Sequence, residues 1–204
     1  MGVTVLQTYP VDKSGAQTIE FLTKRIIELG ATPAGHFLVD CDTCMTTPQL
    51  AGQMRTLHVL HNSEMPASVF SILDTGNKQI PVVADNLFDL LICKMTPAMN
   101  AKKQPKIESK GPRFEYGDFV IKLGSVTMGQ NFKGILVECE YRPCFVPSTC
   151  WELIREFLTG FLGPQVPPRL LNPQHIKANE IYQPLDTIQQ YLEHFTKFRK
   201  QSSM

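Results

Sequence analysis

Two long runs of strand-like composition near the middle of the chain constrain the fold most. Phe114–Met128 and Phe132–Tyr141 are separated only by Gly129, Gln130 and Asn131, a composition typical of a hairpin loop. Such strands must pair within a sheet, and the 15 prolines of the chain also fit strands and turns better than a helical bundle. The sequence therefore predicts an antiparallel sheet as the centre of the fold.

Shorter elements surround this hairpin. Four short strand-like runs, each bounded by Gly, Pro, Asn or Asp, precede it: His36–Asp42, Thr56–His61, Ser68–Leu73 and Gln79–Asp85. Apolar residues at helical spacing predict four helices: Thr18–Leu29, Asn86–Met99, a helix from Thr149 to Gly163, and a helix from about Leu185 to Lys200. Thr149 and Glu152 are expected to form a capping box at the start of the third helix, and Gly163 to end it. The stretch Ala98–Pro112 is predicted to be a polar linker.

The order of these elements lacks the regular alternation of strands and helices that a parallel sheet requires. We therefore expect an α+β fold, a mainly antiparallel β-barrel flanked by helices, with an open α+β sheet as the second choice. Residues 1–163 are predicted to form the barrel domain. Residues 164–204 are predicted to form a proline-rich connector and a C-terminal amphipathic helix, either part of the same domain or a mobile appendage.

Composition narrows the possible functions. The chain has 204 residues, of which 43% are hydrophobic and 19% charged, so it can bury a core and is not expected to be disordered. Twenty Lys and Arg against 19 Asp and Glu give a net charge of +1, which argues against direct binding of nucleic acid. No apolar run approaches the ~20 residues of a membrane span, and the first ten residues do not resemble a signal peptide.

The cysteines are expected to be free thiols that bind no metal. Cys41 and Cys44 form a C-x-x-C pair, but a structural zinc site usually needs a second pair, and neither the other cysteines nor His58 and His61 repeat the spacing. On a strand, His58 and His61 point to opposite faces, which makes them poor joint ligands. We expect no metal and no cofactor.

Paired carboxylates are the best candidates for catalysis. Glu138 and Glu140, like Asp40 and Asp42, fall on one face of a predicted strand and could hold Mg²⁺ or Mn²⁺ in a phosphohydrolase. Because Val137 and its apolar neighbours occupy the other face of the hairpin strand, Glu138 and Glu140 are expected to face solvent. A metal-dependent phosphohydrolase, resembling an RNA 5′-triphosphatase tunnel enzyme, is therefore the alternative to a protein without catalytic activity.

The C-terminal helix carries an apolar stripe that needs a surface to pack on, because an isolated helix of this length is marginal in water. The sequence allows two interpretations, packing on the chain's own barrel or binding to a partner, and we expect the second. The predicted partner-binding residues are Leu185, Ile188, Tyr191, Leu192, Phe195 and Phe198.

Several stretches along nearly the whole chain resemble one protein family. They include His61–Pro66, Ala84–Asp89, Tyr116–Gly129, Gly134–Tyr141 and Tyr182–Thr187. They are similar to the animal Mediator subunit 20 family, also called TRF-proximal protein, whereas Met45–Gln53 and Val166–Asn172 depart from its pattern.

That resemblance implies a β-barrel flanked by helices, related in shape to the RNA triphosphatase barrel. It implies a nuclear, non-enzymatic subunit of the Mediator head module, a coactivator that bridges transcription regulators and RNA polymerase II. The implied partners are Mediator subunit 18, as a heterodimer, the C-terminal helix of Mediator subunit 8, and other head-module subunits. RNA polymerase II would be contacted indirectly, and neither nucleic acid nor a membrane would be bound.

Overall fold

The computed structural model describes residues 2–11, 14–45, 55–99, 104–163, 166 and 178–201. Its strands are β1 (Val3–Tyr9), β2 (Thr32–Met45), β3 (Thr56–Asn62), β4 (Ser68–Asp74), β5 (Gln79–Asp85), β6 (Ile107–Tyr116), β7 (Phe119–Met128) and β8 (Asn131–Tyr141). The helices in the described part of the chain are α1 (Gly15–Glu28), α2 (Phe88–Met99), α3 (Pro147–Leu162) and α4 (Pro184–Lys200). The hydrogen-bonded strand order is β1-β8-β7-β6-β2-β3-β4-β5.

The chain divides into two compact units, one of residues 1–37, 109–127 and 132–204, the other of residues 38–108 and 128–131. In the first unit, α1 and α3 cover one face of the sheet. Leu22 and Ile26 of α1 and Ile154 of α3 pack with Val5 of β1 and Val137 of β8 in a common core. These residues recur at helical spacing on the helices and at every second position on the strands, as amphipathic elements require.

Helix α4 covers the opposite face of the same sheet. Tyr191 contacts Glu138 of β8, and Phe198 lies against Gly134, where a Cβ atom would be only 2.6 Å from the Phe198 ring. The absence of a side chain at Gly134 therefore lets the helix approach the strand closely. As a result, β8 is buried on both of its faces along residues 135–140.

Helix α4 also satisfies the outer edge of β1, the strand at the end of the order. The Gln190 side-chain amide accepts a hydrogen bond from the Leu6 N–H at 3.1 Å and donates one to the Thr4 carbonyl at 2.8 Å. The hydroxyl of Tyr182 donates to the same carbonyl at 3.0 Å. An uncovered strand edge is a site for unwanted pairing with another chain, and these side chains occupy it.

The second unit is built on antiparallel pairings of β2 with β3, β3 with β4, and β4 with β5. Leu57 and Val59 of β3 and Val69 of β4 form a small core, against which Phe88 and Ile92 of α2 pack. Strand β5 ends the order, and its side chains are largely exposed.

The predicted α+β fold class is confirmed: a mainly antiparallel sheet carries helices. One strand was missed and two predicted segments were wrong. Strand β1 was missed because it is buried on both faces and so lacks the alternation of apolar and polar residues that marks a half-buried strand. The predicted linker Ala98–Pro112 contains the start of β6, and the single predicted strand Phe114–Met128 is interrupted at Gly117, whose φ of 53° makes a turn between β6 and β7.

The predicted capping box of Thr149 and Glu152 is also wrong. Helix α3 begins at Pro147 after the N-cap residue Val146, and the Thr149 hydroxyl donates to the Val146 carbonyl at 2.7 Å. A capping box does open α4, where Gln183 and Asp186 bond to each other's backbone N–H groups. The predicted connector, residues 164–173 except residue 166, and residues 46–53 of the divergent segment lie outside the described residues.

The six residues predicted to bind a partner are used inside the first unit. Ile188, Tyr191, Leu192, Phe195 and Phe198 are buried and Leu185 is half-buried, in a helix that packs on β1 and β8. In this structure the stripe packs on the chain's own sheet, the second of the two interpretations, and binding of a partner by these residues stays a prediction. None of the described helices is long and apolar enough to cross a membrane.

Because Phe195 is fully buried, we expect Phe195→Ala to lower the free energy of unfolding by about 3–5 kcal/mol, through lost burial and the cavity left behind. The measurement is denaturant unfolding of the isolated protein. Lys197→Ala, at an exposed position of the same helix, is the matched control and should change little. Unchanged stability of Phe195→Ala would contradict the packing of α4 on its own sheet.

Candidate functional site

The carboxylate pair of β8 lies in the interior of the first unit, which corrects the expectation that it faces solvent. Glu138 is 1% exposed and Glu140 is 8% exposed. The physical reason is that α4 covers the face of the strand from which both carboxylates project. Alternation along the strand was interpreted correctly, but polar residues on one face did not mean that the face was open to water.

The carboxylate of Glu138 forms an ion pair with a buried lysine of the neighbouring strand. The Lys122 ammonium, 1% exposed, lies 2.8 Å from one Glu138 carboxylate oxygen, and the Tyr191 hydroxyl donates to the other oxygen. The ammonium also lies 5.6 Å from the centre of the Phe37 ring. The predicted loop at residues 129–131 places Lys122 opposite Glu138 on the hairpin, so the pairing could have been predicted from the strand register, whereas its burial could not.

Glu140 is bound within the fold as well. It accepts a hydrogen bond at 2.6 Å from the backbone N–H of Gly2, just before β1. A metal-dependent phosphohydrolase needs carboxylates that are free to bind a cation and are reached by substrate. Here the Lys122 ammonium lies where a metal ion would have to bind Glu138. The two glutamates therefore stabilise the fold of the unit.

The second carboxylate pair belongs to a polar cluster of the second unit, centred on His61 of β3. The ring Nδ1 lies 3.0 Å from Asp40 of β2, and Nε2 lies 3.1 Å from Asp89 of α2. The Lys106 ammonium lies 3.1 Å from Asp40 and 3.6 Å from Asp42. His61 therefore connects two strands to the first turn of α2.

These contacts change the charge states of the cluster. Hydrogen bonding to Asp40 chiefly raises the pKa of His61, with a smaller contribution from Asp89. Burial alone would raise the pKa of Asp40, but hydrogen bonds from His61 and Lys106 hold it below its usual value. The negative and positive charges of the cluster are therefore paired with one another. Lys106 and His61 occupy the carboxylate oxygens that a metal ion would need.

The predicted cysteine and histidine candidates do not come together. Cys41 and Cys44 both lie in β2, three residues apart, so they point to opposite faces of the strand. His58 contacts the Thr43 hydroxyl at 3.0 Å, away from the partners of His61. Among the described residues, no three His, Cys, Asp or Glu side chains are grouped so that they could hold a metal ion.

An exposed apolar patch is the feature of the second unit most suited to contact with another protein. It comprises six side chains of β5 and the start of α2 that are between 41% and 61% exposed: Ile80, Val82, Val83, Leu87, Leu90 and Leu91. Strand β5 has β4 as its neighbour and ends the strand order. Because side chains alternate along a strand, Ile80 and Val82 lie on one face of β5 and Val83 on the other. Exposed apolar side chains concentrated in one segment are candidates for contact with another protein. We call it the β5 patch.

The first unit has an apolar groove of about 290 Å³ beside the turn between β6 and β7. Its wall is an aromatic stack in which the Phe157 ring lies 4.3 Å from Phe119 and 5.8 Å from Tyr116, measured between ring centres. Leu153 and Leu29 continue the lining. The groove offers apolar contact and holds a single carboxylate, Glu156.

Comparison with known proteins decides the family. Residues 1–196 match the sequence model of the family described as TATA-binding related factor (TRF) of subunit 20 of Mediator complex. The chain belongs to the Mediator subunit 20 family. It is 68% identical to Mediator of RNA polymerase II transcription subunit 20 of Anopheles gambiae, over 99% of this chain and 96% of that protein.

Further members of the Mediator subunit 20 family match over the full length. The subunit of Aedes aegypti is 65% identical and that of Homo sapiens 42% identical, each over 100% of this chain and 97% of the relative. Among solved structures, the PH1012 protein of Pyrococcus horikoshii OT3 is similar with a TM-score of 0.49 and 15% identity, over 84% of this chain and 100% of that chain. A likeness of that size is too weak to bear on function.

Removing Lys122 should leave the Glu138 carboxylate buried without its counter-charge. We expect Lys122→Met to lower the free energy of unfolding by about 3–5 kcal/mol, and the double variant Lys122→Met/Glu138→Gln to recover most of that loss. Denaturant unfolding of the wild type and both variants measures this. Lys24→Met, which breaks the exposed pair with Glu20, is the control and should change little. Equal losses in Lys122→Met and the double variant would contradict the proposed pairing.

The His61 cluster should make the second unit sensitive to pH. Because the pKa of His61 is raised above 6.5 in the folded chain, its contribution is fully present below pH 6.5 and is lost as pH rises through the folded value. We expect His61→Gln to lower the protection of amides in β3 and α2 from hydrogen exchange at pH 6. The difference in protection between the variant and the wild type should shrink toward pH 9. If that difference instead grows as the pH rises, the contacts of His61 do not stabilise its protonated form.

Proposed function

We propose that this chain is a non-enzymatic subunit of Mediator that acts in the nucleus as a coactivator of transcription by RNA polymerase II. The observation that carries the proposal is the match of residues 1–196 to the Mediator subunit 20 family, with full-length relatives named as Mediator subunits in insects and vertebrates. A role in bridging transcription regulators to the polymerase would follow from membership of the head module.

Within this proposal, the chain pairs with Mediator subunit 18 and lies beside the C-terminal helix of Mediator subunit 8 and other head-module subunits. Contact with RNA polymerase II is then indirect, and no nucleic acid or membrane is bound. The β5 patch supports a protein partner, because it offers apolar side chains on a strand that ends the sheet order. Helix α4 is not available for this purpose without exposing the residues that it buries.

The geometry of β8 argues against the alternative, a metal-dependent phosphohydrolase. Glu138 is bound to Lys122 and Tyr191, and Glu140 is bound to the backbone of Gly2. Asp40 and Asp42 are similarly paired with Lys106. Each of these four carboxylates already has a bonding or charged partner within the fold, whereas binding of Mg²⁺ and a phosphate requires oxygens that are free to coordinate the ion.

Co-expression with Mediator subunit 18 tests the proposed pairing. We expect the two chains to elute as one complex in size-exclusion chromatography at micromolar concentration, since stable interfaces bury on the order of 1,200–2,000 Å² in total. Val83→Glu combined with Leu90→Glu should weaken that complex if the β5 patch carries it. Phe21→Glu, an equally exposed apolar position on α1, is the matched control. Two separate peaks for the wild-type pair would count against the proposal.

An assay of γ-phosphate release from 5′-triphosphate RNA tests the absence of catalysis. With Mg²⁺ or Mn²⁺ present, we expect no turnover above the buffer rate, because the carboxylates of β8 are paired inside the fold. Turnover that disappears in Glu138→Gln, a variant of similar shape, would support the phosphohydrolase instead.

A further inference from the structure

Two thiols meet at the start of α3 in the first unit. Cys144 lies in the loop between β8 and α3, and its sulfur contacts the Thr149 hydroxyl at 2.9 Å and the Val146 carbonyl at 3.2 Å. Cys150 lies in the first turns of α3, and its sulfur contacts the same Val146 carbonyl at 3.9 Å. The two sulfurs therefore lie beside the same carbonyl oxygen. Both cysteines are free thiols.

The two thiols differ in reactivity. Burial is the largest single influence on the Cys144 thiol and would raise its pKa, but hydrogen bonds from Thr149, Cys150 and nearby backbone N–H groups together outweigh it and lower the pKa below the usual thiol value. Burial, with the neighbouring Cys144 charge, raises the pKa of Cys150 to about 12. Cys144 is half-buried and Cys150 is 4% exposed. Cys144 is therefore the more acidic and more accessible of the two thiols, and Cys150 is a buried thiol beside the same carbonyl oxygen.

We propose that Cys144 and Cys150 form a hydroperoxide-reactive dithiol that closes to an intramolecular disulfide. An accessible thiolate with a second thiol at its side is the arrangement found in reversible thiol oxidation. The arrangement is independent of the proposed Mediator function and makes the start of α3 a modification site.

The reaction balances with a hydroperoxide as the oxidant. The Cys144 thiolate attacks one peroxide oxygen, the O–O bond breaks, and hydroxide or an alkoxide leaves and takes up a proton, so that Cys144 becomes a sulfenic acid. The Cys150 sulfur then attacks the Cys144 sulfur, the S–O bond breaks, and the Cys150 proton leaves with the oxygen as water. Two thiols lose two electrons in total, and the peroxide gains them.

Other described cysteines provide internal comparisons. Cys139 is fully buried in β8, and burial together with the charges of Glu138 and Glu140 strongly raises its pKa. It should therefore remain a thiol under conditions that oxidise Cys144. Cys41 is likewise fully buried.

Mass spectrometry of the full-length protein after brief exposure to hydrogen peroxide tests the proposal. Cleavage after glutamate yields the peptide Tyr141–Glu152, which contains Cys144 and Cys150 but not Cys139. We expect this peptide to lose two hydrogens, to resist alkylation, and to regain both thiols after reduction with dithiothreitol. Cys139 should be fully alkylated before and after peroxide.

Single variants separate the roles of the two thiols. Cys150→Ser should abolish the loss of two hydrogens and leave a Cys144 sulfenic acid that dimedone traps. Cys144→Ser should leave Cys150 reduced and open to alkylation after unfolding. The melting temperature of each variant, measured before oxidation, establishes that the fold is intact.

Three outcomes would overturn the proposal. The first is a peptide that keeps both thiols at a peroxide dose that oxidises Cys44, a half-buried cysteine of the second unit. The second is oxidation of Cys144 to a sulfinic acid in the wild type without disulfide formation. The third is the same loss of two hydrogens in the wild-type protein only after it has been unfolded, since contact in the folded chain would then have no part in the reaction.

Discussion

The buried ion pair of Lys122 and Glu138 is the constraint on which the first unit depends. Two charges taken out of water are tolerated only when each is compensated, and here Tyr191 completes the compensation from α4. A carboxylate on β8 thereby ties together a neighbouring strand and the last helix. Either residue alone would be a strongly destabilising group at its position, so β7, β8 and α4 must be in place together.

The same packing explains how a chain with a catalytic-looking motif has no open site at that motif. Paired glutamates on a strand can bind metal when the strand faces a solvated cavity. In this unit the face that carries Glu138 and Glu140 is covered by α4, and the opposite face is covered by α1 and α3. The described surface also carries two exposed apolar features, the groove beside Phe157 in the first unit and the β5 patch in the second.

Sequence reasoning found the elements whose patterns are local. The hairpin of β7 and β8, the short strands β3 to β5 and the amphipathic helices follow from spacing and turn residues. Strand β1 was missed because burial on both faces removes the alternation, and Glu138 was misplaced because alternation reports polarity without reporting what covers it. Leu6 and Gln190 are 184 residues apart, so no local signal could pair them. Lys122 and Glu138 lie 16 residues apart on the predicted hairpin, but the helix that covers them comes from the end of the described chain, which the hairpin pattern does not report. The family followed from resemblance over the whole chain, which the comparison confirmed.

The hydrogen bonds between Gln190 and β1 limit the order in which the segments of the first unit can fold. Leu6 and Gln190 are 184 residues apart, and Tyr182 reaches Thr4 across 178 residues. During synthesis β1 emerges before its partner strand β8, which begins at residue 131, and before its edge cover in α4, which begins at residue 184. Contacts of such separation form slowly and leave early segments exposed while they wait. Strand β1 can therefore be paired with β8 and covered by Gln190 only after these later segments have been synthesised.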